Sequence, residues 1–179
     1  WGRTYESYSE DPQLVATMAE AMVVGLQGNP VGGDLFAADK VIATTKHFIG
    51  DGGTEGGVDQ GNTVLSEQVL RDLHSPGHIA AIAAGAQTVM ASFNSWNGNK
   101  LHGSHYMLTD VLKGKLGFDG FVIGDWNGHG QIPGCSDESC PQAINAGVDM
   151  IMVPEKWREF YKNTLRQVKG GEITEARLD

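Results

Sequence analysis

Gly120-Phe121-Val122-Ile123-Gly124-Asp125-Trp126 is the stretch that decides the fold. A short apolar run between glycines is what a strand packed on both faces shows. A carboxylate and an indole follow it at once. Working outward, the same order recurs. Residues 41–45 read as a strand and precede Lys46-His47. Residues 88–92 read as a strand and precede Phe93-Asn94-Ser95-Trp96. Residues 148–153 read as a fourth strand and precede Pro154-Glu155.

Helical patterns lie between these runs. Asp11-Pro12 is an N-cap with proline at the first helical position; Leu14, Met18 and Met22 mark one face, and Gly28 can close the helix. Residues 66–84 form a second helix, kinked or restarted at Pro76. Ser104 caps a third, running to about Gly114. Residues 141–146 and 155–169 supply two more, the latter ended by Gly170-Gly171. Thr174 caps a further helix that runs out at Asp179.

Strands alternating with helices give an α/β fold with a parallel sheet. A doubly wound open sheet and part of a (β/α)8 barrel both fit. The glycine clusters Gly50-Asp51-Gly52-Gly53 and Gly56-Gly57 do not make the G-x-G-x-x-G turn that a dinucleotide-binding open sheet needs. In either architecture the ligand site forms at the carboxyl ends of the strands, where the polar and aromatic residues gather.

The net charge is −9, with 25 glycines among 179 residues. No basic face is visible to displace counterions, so nucleic acid is not an expected partner. No apolar run approaches the ~20 residues that span a bilayer, so no membrane partner is expected either. Oligomeric state is left open. Cys135 and Cys140 have no third or fourth ligand at zinc spacing, so neither a metal nor a cofactor is expected. They form a loop disulfide, implying an oxidising compartment, or stay as two free thiols.

Each polar residue has two readings. Asp125 either caps the following loop or acts as nucleophile or base, with Gly124 leaving it room. Trp126 beside it suits a sugar, whose C–H face stacks on an aromatic ring. Lys46 could form a Schiff base or donate to hydroxyls. His47 is a satisfied core histidine or a pocket residue. Arg3 is an ion-pair partner of Glu6, Glu10 or Asp11, or a ligand contact.

Five motifs occur in order: W-G-R-T-Y-E-S-Y-S-E-D-P, K-H-F-I-G-D-G-G-T, S-W-N-G, G-F-V-I-G-D-W and A-G-V-D-M-I-M-V-P. Together they resemble the first catalytic domain of glycoside hydrolase family 3, above all its β-glucosidases and exo-acting β-glucan glucohydrolases. The resemblance covers nearly the whole chain.

That resemblance implies the C-terminal part of a (β/α)8 TIM-like barrel, incomplete in residues 1–179. It implies a retaining exo-acting β-glucosidase with Asp125 as nucleophile. Arg3, Lys46 and His47 would hold the sugar in the −1 subsite, Trp126 would clamp the next sugar, and Phe93 would also contact substrate, where relatives often carry tyrosine. Gln60 stands where plant-type relatives carry glutamate. A sugar-gripping aspartate would lie upstream of Trp1. The general acid/base glutamate would sit on a second, α/β sandwich domain outside this chain; Glu6, Asp51, Glu55 and Asp59 are poor substitutes. The expected partner is a β-glucoside or β-glucan oligosaccharide. The expected location is periplasmic or extracellular, and the piece alone is expected to be inactive. A non-catalytic sugar-binding barrel and a Schiff-base lyase on Lys46 are the competing functions.

Overall fold

The computed structural model describes residues 2–178; Trp1 of the first motif and Asp179, at the end of the expected last helix, lie outside them. Helix α1 spans Pro12–Gln27. Asp11 Oδ1 accepts from the backbone N–H of Gln13 at 2.8 Å and of Leu14 at 3.4 Å, satisfying donors that the first turn leaves bare. Gly28, at φ 90°, closes the helix as expected.

Strand β1 is Thr44–Phe48, β2 Asn62–Thr63, β3 Thr88–Ala91, β4 Ser95–Trp96, β5 Asn99–Lys100 and β6 Phe121–Ile123. Helices α2 (Glu67–His74), α3 (Pro76–Ala83), α4 (Pro141–Ala146) and α5 (Trp157–Lys169) complete the frame, with a π-helix over Tyr106–Lys115. The break between α2 and α3 falls at Pro76, so the proline restarts the helix rather than kinking it.

β1, β3 and β6 form one parallel sheet in the order β1-β3-β6. Helices separate each strand from the next in sequence, as in one sector of a (β/α)8 barrel. All three carboxyl ends therefore face the same way, toward Ile49, Ser92 and Gly124-Asp125. The main core lies behind this sheet, around Phe48, Leu70, Val89, Leu108, Leu112, Val122 and Val148, all at most 2% exposed. Buried Gln27 makes three side-chain hydrogen bonds: its Nε2 donates to the Gly85 carbonyl, and its Oε1 accepts from the Ala43 and Gln87 N–H groups. It ties the end of α1 to the start of the sheet.

Several expectations are corrected. The first strand lies at 44–48, not 41–45, so Lys46 and His47 belong to the strand instead of following it. Val41 and Ile42 are β-branched but exposed, and the ladder begins only where Thr44 meets Thr88. The register shifts between Thr45 and Phe48, and the Lys46–His47 and Phe48–Ile49 peptides are cis. The segment 148–153 runs beside β6 but makes a single bridge, Ile123 to Met150. The Asp149 carboxylate takes the Val122 N–H, and the Val122 carbonyl is shared by Asp149 and Met150 N–H groups, which uses up the ladder bonds.

Leu14, Met18 and Met22 do share a face of α1, but each is at least 43% exposed. The helix instead packs through Ala19 and Val23 against Ala81 of α3 and Ala84 at its C-cap. Gly77 permits that approach, since a Cβ there would stand 2.7 Å from Val15 Cγ1. Phe121 is 37% exposed, so β6 is not covered along its whole length. The last long helix starts at Trp157, two residues later than expected, and Thr174 leads only a 3-10 turn. A second small sheet, β2-β4-β5, adds strands that the sequence reading does not contain. Its hairpin turns on Asn97 and Gly98, both at positive φ.

Candidate active site

Asp125 leaves the end of β6 with its two carboxylate oxygens in different states. Oδ1 accepts from the Trp126 N–H at 2.7 Å. Oδ2 is buried and makes no hydrogen bond among the described residues. It stands 3.5 Å from His47 Nε2. Burying an unpartnered carboxylate oxygen is costly, so this oxygen points to a use outside the chain's own hydrogen bonds.

His47 is 5% exposed and lies on β1. Its Nδ1 is 2.6 Å from Asp51 Oδ2, and its Nε2 is 3.3 Å from Arg3 Nη2. A carboxylate only accepts and a guanidinium only donates. Nδ1 therefore carries the proton toward Asp51, and Nε2 offers its lone pair to Arg3. That tautomer leaves no ring proton for Asp125, in agreement with the bare Oδ2.

Arg3 also grips Glu6, through Nε to Oε1 at 2.7 Å and Nη2 to Oε2 at 2.9 Å. Lys46 Nζ reaches the same carboxylate at 2.6 Å. The ion pair expected between Arg3 and an acidic neighbour thus exists, with Glu6, and Arg3 meets His47 as well. The Arg3 guanidinium, followed by the Lys46 ammonium, pulls the Glu6 carboxyl down to about 2. A carboxyl so firmly ionised cannot serve as a proton donor near neutral pH. Glu6, with Asp125, in turn raises Arg3 above its ordinary value. The result is one hydrogen-bonded chain, Lys46, Glu6, Arg3 and His47, whose end stands 3.5 Å from the unbonded Asp125 Oδ2.

The structure brings Arg3, His47 and Asp125 together. Lys46 joins them through Glu6. Trp126 is 55% exposed directly beside the carboxylate, free to present its indole to a ligand. The Phe93 ring stands 5.8 Å from that of His102. A Cβ on Gly124 would make only ordinary contacts, so that glycine is not sterically required. A cleft of about 620 Å³ is lined by Glu6, Lys46, His47, Asp51, His74 and His78. The Gln60 side-chain oxygen accepts from Gln131 Nε2 at 2.7 Å, and the Gln60 backbone carbonyl accepts from Lys100. Among the described residues no group of three or more His, Cys, Asp or Glu is arranged to hold a metal ion. Cys135 and Cys140 are bonded to each other, which decides between the two readings of that pair.

Two residues of the site have roles that the sequence reading does not assign. Asp51 enters it only as a candidate acid, although its place four residues after His47 in K-H-F-I-G-D is a signal. His102 has none. It lies 23 residues from Asp125, yet its Nε2 accepts the Asp125 N–H at 2.8 Å.

A parallel α/β sector with a half-freed carboxylate at a strand end defines a small-molecule enzyme site of barrel type. A family model for the glycosyl hydrolase family 3 N-terminal domain matches residues 1–179, and the chain belongs to that family. It is 38% identical over 160 residues to a beta-xylosidase of Formosa agariphila, covering 86% of this chain and 22% of that one. It is 32% identical to a periplasmic beta-glucosidase of Salmonella typhimurium, covering 100% and 23%. The crystal structure of an exo-1,3/1,4-beta-glucanase from a Pseudoalteromonas species is 61% identical with a TM-score of 0.97, covering 99% of this chain and 22% of that one. The chain thus spans about a fifth of the length of these relatives.

Proposed function

We propose that the polypeptide carrying this chain is a retaining, exo-acting β-glucosidase whose nucleophile is Asp125. The observation that carries the reading is the buried, unbonded Asp125 Oδ2 set 3.5 Å from His47. Residues 1–179 make part of its (β/α)8 domain. The proton donor is a carboxylic acid outside these residues, on a second domain, and the stretch alone turns over no glycoside.

In this account Asp125 Oδ2 attacks the anomeric carbon and forms a glycosyl ester. The acid gives its proton to the departing oxygen. It then takes a proton from water, which attacks the same carbon and releases the sugar with Asp125 restored. The two carboxyl groups stand about 5–5.5 Å apart. Arg3, Lys46 and His47 hold the sugar hydroxyls, Trp126 packs on the next sugar, and Phe93 contacts substrate near the site.

The similarity to an exo-glucanase and a periplasmic glucosidase supports β-glucosides or β-glucan oligosaccharides as substrates. The disulfide supports a periplasmic or extracellular location. The lyase reading loses ground, because Lys46 Nζ is engaged by Glu6. An Asp125→Gly variant of the whole polypeptide tests the reading. Turnover should fall about a thousandfold or more. Added azide should restore it on an activated aryl β-glucoside, yielding the α-glucosyl azide. Full activity in the variant would refute the assignment.

A further inference from the structure

We propose that His102 is a positioning residue that sets the Asp125 carboxylate, acting through the Asp125 backbone; this rests on Asp125 being the nucleophile. The imidazole sits between the carboxyl ends of β3 and β6. Its Nε2 accepts the Asp125 N–H at 2.8 Å, and the ring also donates to the Ser92 backbone. The sheet register explains why it is needed. Phe121 N–H donates to the Gln87 carbonyl, and the same offset would hand the Asp125 N–H to Ala91. The imidazole takes the Asp125 N–H in place of that ladder bond, and ties the end of β6 to the Ser92 backbone just past β3.

On either side the chain is already committed, the Gly124 N–H to Met150 and, two residues past Asp125, the Asn127 N–H to Met152. The Asp125 N–H is thus held from one side by His102, and its Oδ1 by the Trp126 N–H. With the backbone and one oxygen fixed, Oδ2 is left at a single place. A buried polar ring is a costly filler for a gap that an apolar side chain could occupy. Here the ring is spent on the ends of β3 and β6, the second of which carries the nucleophile. Burial holds the imidazole down at about 4, so Nε2 remains an acceptor at neutral pH. Gly128 makes the room: a Cβ there would fall 2.5 Å from the ring Cε1 and Nε2.

The test uses the whole polypeptide and an activated 2-deoxy-2-fluoro-β-glucoside, which traps the nucleophile. The inactivation rate constant is separated from the inhibitor's binding constant. His102→Phe should lower the rate constant by about 10- to 100-fold while binding changes far less. His102→Gln, with one acceptor and one donor, should recover most of the rate. Gly128→Ala, which presses on the ring without altering it, should reproduce the defect even if the phenylalanine variant does not fold. Wild-type trapping rates in Gly128→Ala, or in a folded His102→Phe protein, would overturn the role. So would equal losses in the phenylalanine and glutamine variants. Absence of label on Asp125 in the unaltered protein would instead overturn the nucleophile assignment, and the role of His102 with it.

Discussion

His47 Nε2 lies 3.5 Å from Asp125 Oδ2, yet its lone pair is turned to Arg3, 3.3 Å away. Asp51 enforces this by taking the Nδ1 proton at 2.6 Å. The carboxylate oxygen is thereby kept near a polar partner without being tied up by it. Asp51→Ala removes the anchor and frees the ring to turn. The expected result is a drop of about tenfold or more in kcat/KM on an aryl β-glucoside, with Asp125 still the labelled residue. Activity within twofold of the unaltered protein would mean that Asp51 does not set the ring.

Glu6 joins the two cations of the site, and its carboxyl lies at about 2 against an ordinary 4.5. A carboxyl with a depressed folded value stabilises the structure fully above its unfolded value. That contribution is lost as the pH falls through about 2. The Glu6 side-chain carboxyl carbon, followed by NMR, should therefore titrate near 2. A midpoint near 4.5 would show that Arg3 and Lys46 do not share this carboxylate.

His78 and His102 are both buried, and burial pushes each imidazole from 6.5 to about 4. Below about 6.5 the unfolded chain takes up protons that the folded chain refuses. Stability must then fall as the pH is lowered from about 6.5 toward 4 and level off below. The slope is about 1.4 kcal/mol per pH unit for each histidine. Thermal melting between pH 4 and 7 reads this, and His78→Gln should flatten the slope. A midpoint independent of pH across that window would contradict the burial argument.

The frame is largely legible in sequence where local chemistry decides it. Asp11-Pro12 and Gly28 bound α1, and the short apolar runs locate β3 and β6 to within a residue. The misses share a cause, which is that pairing overrides propensity. Val41 and Ile42 have the side chains of a strand, but β1 begins only where β3 offers partners. At 148–153 the Asp149 side chain takes a backbone N–H that a ladder would need. The β4-β5 hairpin carries its own turn signal in Asn97-Gly98, which is legible without the structure. Within the site, Asp125, His47 and Arg3 can be named because they stand in compact motifs. His102 cannot, because its importance arises from folding together segments 23 residues apart.

The most direct test of the account is covalent trapping of the whole polypeptide with a 2-deoxy-2-fluoro-β-glucoside, followed by peptide mass mapping. The account predicts one fluoroglucosyl adduct per chain, carried by Asp125, together with loss of activity. An adduct on any other residue, or hydrolysis of a reactive glucoside with no adduct at all, would contradict it.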